Sequence, residues 1–323
     1  MLRTSLKLIT GALLLGCSVS ALAYETETDL VEAKLKASES LKQDNYRRST
    51  SVGSTLYVKN TNFRFVDNIG FYITDLIVNL TPKEPRQPGA FVAPTSFSLT
   101  PIKGTAILDY AKLEALLNKH VFAFKGATLK NIKVKTGKDL LVLAGEMNRK
   151  GVWVPFAMKG RLTLSDGHIL TYVPWSVVVD NNDATKVLVA ANVNLDELLT
   201  VKTVGANLIG SEVVLDTMKL FPPPKLHLNI ATASLDDRGL VLTFDNEGAG
   251  TDSATLIPSD SYILIKGGDT KFMKAVSTNS QLQVMSGNEG SELDFCLYDY
   301  RDQLTAGYLE LTEKGAILAY FKN

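Results

Sequence analysis

The stretch that most constrains this chain runs from Val152 to Asp180, "VWVPFAMKGRLTLSDGHILTYVPWSVVVD". Apolar residues recur at every second position, a period that suits a half-buried strand and not a helix. Val152, Val154, Phe156, Met158, Leu162 and Leu164 share one face. Trp153, Pro155, Ala157, Lys159, Arg161 and Thr163 share the other. Ser165-Asp166-Gly167 then reads as a hairpin turn, with Asp-Gly supplying positive φ angles, and "LTYVPWSVVVD" returns as the partner strand. The first strand is much longer than the usual ~5–6 residues. Gly160 offers a bending point, and Pro155, which has no N–H to donate, predicts an edge position or a bulge. Long, glycine-kinked strands with one apolar face suit a strongly curved antiparallel sheet.

The rest of the chain supports the same class. From Ser54 onward "STLYVKN" and "FYITDLIVNL" are rich in β-branched and aromatic residues. Residues 81–96, with four prolines, read as a surface loop. "LDYAKLEALLNKHVF" predicts a helix capped by Asp109, with Leu113, Leu116, Leu117 and Val121 on one face. A second helix is expected from Asn194, where Asn194 and Glu197 have capping-box spacing and Leu195, Leu198 and Leu199 repeat the apolar stripe. The two helical segments resemble each other weakly, "LEALL" and "LDELL", each followed by a glycine motif, "GATL" and "GANL". In "LFPPPKLHLNI", residues 220–230, three prolines precede an alternation that turns Leu226, Leu228 and Ile230 inward and His227 outward. "SLDDRGLVLTFD" repeats the pattern with Leu240, Leu242 and Phe244. Residues 246–258 read as a loop. The β-rich remainder predicts an antiparallel meander, either closing strands or a small second domain.

Residues 1–23 read as an export signal. Arg3 and Lys7 precede the apolar run "LITGALLLG", and Ala21-Leu22-Ala23 offers a cleavage site. The expected destination is the periplasm. "LLGC" at 14–17 is an alternative, a lipobox that would anchor the chain through Cys17. Residues 24–50 form a tether or marginal helix, and residues 51–245 the main domain. Lys and Arg total 34, as do Asp and Glu. That balance argues against nucleic acid, which needs a concentrated basic face. After signal cleavage Cys296 alone remains, so no intramolecular disulfide can form; it reads as a small buried strand residue.

No pattern for catalysis emerges. His120, His168 and His227 lack a second ligand at metal spacing. There is no Gly-x-Ser-x-Gly elbow, P-loop or dinucleotide fingerprint. "DNNDAT" reads as a polar hairpin tip, and "YDYRDQ", with Asp299, Arg301 and Asp302, as a solvated charge cluster near a turn. No catalytic residue, metal or cofactor is assigned, and an enzyme is not expected.

Several blocks resemble a known family. "LLNKHVF…GATLKNIKV", "GVWVPFAMKGRLTL.DG", "LFPPPKLHLNI" and "YILIKGG.TKF" look like segments of exported bacterial proteins of unknown function, over roughly residues 107–310. Residues 107–245 resemble more weakly the LmeA-like (DUF2993) proteins. These are related to the tubular lipid-binding (TULIP) fold, in which a curved antiparallel sheet wraps a helix and holds lipid. The resemblance implies lipid binding and supplies no catalytic residue. The combined expectation is an α+β fold with a long curved sheet around one or two amphipathic helices and a β-rich C-terminal region. Its apolar inner face would hold a lipid or other apolar ligand against Val152, Val154, Phe156, Met158, Leu162, Leu226, Leu228, Ile230, Leu240 and Leu242. A membrane surface is a further partner of such a carrier. The competing expectation is an envelope interaction protein with a fully packed core.

Overall fold

The computed structural model describes residues 48–85, 87–186, 194–197, 201–247 and 254–322. The export signal, Cys17 and most of the 24–50 segment lie outside the described residues. β1 (Ser54–Val66) and β2 (Ile69–Pro82) form a long hairpin. A short β3 (Gly89–Ala90) leads to β4 (Phe97–Leu108). Helix α1 (Tyr110–Leu116) continues as a π turn over Leu117–Val121. A meander follows: β5 (Leu129–Gly137), β6 (Leu140–Arg149), β7 (Val152–Ser165) and β8 (Ile169–Val179). Four short strands extend it: β9 (Asn182–Asp183), β10 (Lys202–Thr203), β11 (Ala206–Ile209) and β12 (Glu212–Asp216). The chain returns through β13 (Lys225–Leu226), β14 (Thr232–Asp236) and β15 (Gly239–Asp245). It closes with β16 (Tyr262–Phe272), β17 (Ala275–Ser286), β18 (Leu293–Cys296), helix α2 (Tyr300–Ala306), β19 (Tyr308–Leu311) and β20 (Ile317–Phe321).

Two open, curved sheets result. The smaller runs β10-β11-β12-β8-β7-β6-β5, all antiparallel, with β9 on β8. The larger runs β14-β15-β4-β2-β1-β16-β17-β20-β19. The strands after residue 258 belong to this same sheet: β16 pairs β1 over Thr55–Lys59 and β18 takes over at Thr61–Arg64. Helix is scarce, so the protein is mostly β where a fuller α+β mixture is expected. A single buried apolar cluster contains side chains from both sheets and from α1.

The long alternating strand forms as the sequence predicts. Ser165 pairs with Ile169 across a turn in which Asp166 and Gly167 have φ of 51° and 65°. Phe156 and Met158 are buried, Leu162 and Leu164 half-buried, and Lys159, Arg161 and Thr163 exposed. The register shifts between Lys159 and Gly160, so the expected bend falls at the glycine. A Cβ there would stand 2.5 Å from Cε2 of Tyr172 and 2.6 Å from the Val173 carbonyl oxygen. The polar tip 180–185 also forms, with Asp180 and Asn181 at positive φ between Val179 and Asn182. Asp109 caps α1 by accepting from the Lys112 N–H at 2.8 Å.

Five expectations need correction. Pro155 is not on an edge strand, because β7 pairs β6 on one side and β8 on the other, but it sits one residue beyond the last β7–β8 pair, Phe156–Val179, so only its β6 side is in a ladder. Its carbonyl accepts from the Asp180 N–H at 2.8 Å, so the side lacking a donor faces the turn where β8 ends. Second, the helix expected from Asn194 is a single 3-10 turn over Leu195–Glu197. The box contact itself is made, with the Asn194 N–H donating to Glu197 at 3.0 Å; Leu198 and Leu199 lie outside the described residues. Third, the proline-rich segment 81–96 is not all surface. Phe91 is buried among Phe97, Phe272, Phe295 and Tyr300, with ring centroids 5.8–6.1 Å away. Fourth, the C-terminal strands are not a simple antiparallel meander, because β18 and β20 pair in parallel with β1 and β17. Fifth, "YDYRDQ" opens helix α2, which buries Tyr300, Gln303 and Leu304 beneath its charged face.

Candidate functional site

The inner faces of the two sheets do not meet everywhere. Between them lies a cavity walled by Phe156, Met158 and Leu162 of β7, with Leu170 and Tyr172 of β8. Leu129, Ile132 and Val134 of β5 and Leu141 and Leu143 of β6 extend that wall. Leu108 of β4 with Leu240 and Leu242 of β15 supply the large-sheet side, and Leu113 and Leu116 of α1 cover it. The strand alternation places most of these residues at every second position of their strands; in β5 a register shift between Lys130 and Lys133 puts Leu129 and Ile132, three apart, on the same wall. Asn118 fastens the π turn over β5, donating to the Glu114 and Ile132 carbonyls and accepting from the Ile132 N–H at 2.7 Å.

The centre of a water-sized sphere can occupy about 80 Å³ of this cavity, where a single water needs about 10–15 Å³. Among the described residues that line the cavity, the only polar side-chain groups are the hydroxyls of Thr217 and Tyr172. Thr217 donates to the His168 carbonyl at 2.8 Å and Tyr172 to the Leu141 carbonyl at 3.3 Å. Burial also pushes the Tyr172 phenol well above its ordinary range. Both hydroxyls are committed to the backbone, leaving an apolar surface that cannot activate a nucleophile but can accept hydrocarbon. Apolar cavities of this kind stay dry and take apolar guests.

A second apolar cavity, about 40 Å³ on the same measure, lies against the large sheet between Phe65, Phe71, Ala106, Leu226, Leu228 and Phe244, among others. A polar recess of about 380 Å³ adjoins the first cavity; Phe122, Leu129 and Ile132 border both. Asn118, Lys130, Asn131 and Lys133 complete the recess. Lys130 lies 3.5 Å from Glu146 and 4.1 Å from the centre of the Trp153 ring, and Lys133 lies 3.0 Å from Glu114. Two ammonium groups are thus balanced by two carboxylates.

The ten residues singled out from sequence are distributed unevenly. Phe156, Met158, Leu162, Leu240 and Leu242 line the first cavity, and Leu226 and Leu228 the second. Ile230 is buried in the core and Val154 half-buried against it; neither borders a described cavity. Val152 is 62% exposed, because it opens β7 at the hairpin tip, beyond the reach of the opposing sheet. Sequence reasoning missed the walls from β4, β5, β6, β8 and β12, and Phe221. The leucine stripe of α1 was the available signal for the helical cover.

The remaining candidates for chemistry stay apart. Among the described residues no group of three or more His, Cys, Asp or Glu side chains gathers at metal-binding distance. His120, His168 and His227 are all half-buried and lie in different elements. Cys296 is buried, and desolvation, with Asp299 close by, pushes its thiol up to about 12. Comparison of the chain with protein-family models, with curated proteins and with solved structures finds no match.

Proposed function

We propose that this protein is a non-enzymatic carrier that binds a lipid or another apolar ligand between its two sheets. One observation carries the reading: the first cavity is walled by side chains from both sheets and a helix, and among the described residues no polar side chain that lines it is uncommitted. Binding sites for small hydrophobic molecules are concave, mostly apolar and largely preformed. The adjoining polar recess supports an amphiphile, with its chain in the cavity and its head beside Lys130 and Lys133. The charge balance there favours a neutral or zwitterionic head. On this reading the sheets and α1 form a variant of the TULIP arrangement, and the export signal sends the carrier to the periplasm. A membrane surface is then where it exchanges cargo.

Protein purified under native conditions is expected to release lipid on solvent extraction and, once stripped, to take up a fluorescent lysophosphatidylcholine, a single-chain lipid with a zwitterionic head. Apo mass alone in native mass spectrometry, together with no uptake, refutes the proposal. A second reading, an envelope interaction protein, draws support from the outermost strand of the large sheet. β19 exposes Tyr308, Leu309 and Leu311 at an open edge, the geometry that invites pairing with another chain.

A further inference from the structure

The two apolar cavities are neighbours along one sheet face. Cross-strand pair Leu240–Leu108 belongs to the first, and Phe244, four residues further along β15 on the same face, to the second. The boundary runs through the intervening pair, since Leu242 borders the first cavity and Ala106 the second. Residues two apart on a strand are separated by about 7 Å, so the cavities lie end to end with little between them.

One aromatic side chain joins the two walls. Phe221 lines the first cavity, and its ring centroid lies 6.0 Å from that of Phe65 and 5.0 Å from that of Phe71, both of which line the second. The backbone that carries it is held. Leu220, Pro222 and Pro224 are buried, and the Tyr298 hydroxyl donates to the Pro223 carbonyl at 2.9 Å. Three consecutive prolines restrict the chain further, because each fixes φ.

We propose that Phe221 is a septum that sets the length of hydrocarbon chain the site admits. The inference rests on the lipid-carrier reading and names the ligand class more narrowly, as a single-chain amphiphile. Its chain fills the first cavity and stops at the Phe221 ring. Removing the ring joins the cavities, so that further methylenes reach Ala106, Leu228 and Phe244.

The test measures displacement of a bound fluorescent lysophosphatidylcholine, whose head is zwitterionic, by a series of saturated lysophosphatidylcholines from octanoyl to stearoyl. In the wild type, affinity is expected to rise with chain length and then stop rising. In Phe221→Ala the rise should continue to longer chains, by about fourfold for each added methylene, at ~0.8 kcal/mol per buried CH₂. Phe221→Leu, which keeps more of the packing on Phe65 and Phe71, should extend the range less and guards against a folding defect in the alanine variant. Adding Ala106→Leu to Phe221→Ala should fill the second cavity and restore the shorter limit. Binding by all variants with an unchanged length profile overturns the septum and leaves the carrier reading standing. Absence of binding at every length, in wild type and variants alike, overturns both.

Discussion

Gly160 tests whether the sheet curvature and the cavity wall depend on one another. A Cβ at this position would meet Cε2 of Tyr172 at 2.5 Å and the Val173 carbonyl oxygen at 2.6 Å. Neither neighbour can yield easily. The Tyr172 ring is 1% exposed, with its hydroxyl on the Leu141 carbonyl, and Val173 is held in the β7–β8 ladder. Overpacking of this kind costs about 1–3 kcal/mol. Contacts under 3.0 Å with two neighbours, one of them through backbone, put Gly160→Ala in the upper half of that range, ~2–3 kcal/mol; replacing glycine within a strand returns about 0.5–1 kcal/mol of backbone entropy, so the net destabilisation should be about 1–2.5 kcal/mol. Urea unfolding followed by tryptophan fluorescence reads this as a lower midpoint at constant slope. Tyr172→Leu removes the ring but not the carbonyl. The double variant should therefore recover part of the penalty, a coupling of about 0.5–1.5 kcal/mol, within the range seen for contacting residues. Wild-type stability in Gly160→Ala, or strict additivity in the double variant, would refute the argument that the ring and the bulge are packed as one unit.

Further outcomes follow from the buried Cys296 and the half-buried Asp109. Cys296 should resist alkylation in the native protein at pH 8 and react on unfolding, as mass spectrometry of labelled protein would show; ready native labelling would contradict its burial. Because its folded pKa lies above the ordinary thiol value, its contribution to stability is complete below about pH 8.5 and is lost as pH rises toward 12. Asp109→Ala should lower stability by about 0.5–2 kcal/mol through loss of the α1 cap, measured by thermal or urea unfolding. Asp109→Asn keeps a capping oxygen, and its smaller loss should report the contact with Lys112, whose ammonium lies 3.0 Å away and is nearly buried.

Alternation along β7 was legible because side chains change face at every residue whatever the strand pairs with. The same local logic turned Leu226, Leu228 and Ile230 inward, and all three are buried. What a strand lies beside is not written in its own residues. Pro155 suggested an edge, yet a proline is tolerated inside the small sheet because its donor side faces the end of β8. Phe91 sits in a segment whose prolines signal a loop, and its burial comes from Phe97 of β4 together with distant contacts from β16, β18 and α2. α2 was hidden by its charged residues, since seven residues carry too little apolar periodicity to outweigh Arg301 and Asp302.

The candidate site shows the same boundary between local and long-range information. β4 is paired to β15, residue Leu108 opposite Leu240, and the whole small sheet lies between them in sequence. A single inner face inferred from β7, the 226–230 strand and β15 therefore became two walls with two cavities. The segment "LFPPPKLHLNI" is where the chain crosses from one to the other: Leu220 and Phe221 line the first cavity, and Leu226 and Leu228 the second. Its prolines were read as an approach that fixes strand register. In the folded protein they also keep an aromatic ring at the junction of two spaces, a consequence that depends on Phe65 and Phe71, more than a hundred residues earlier.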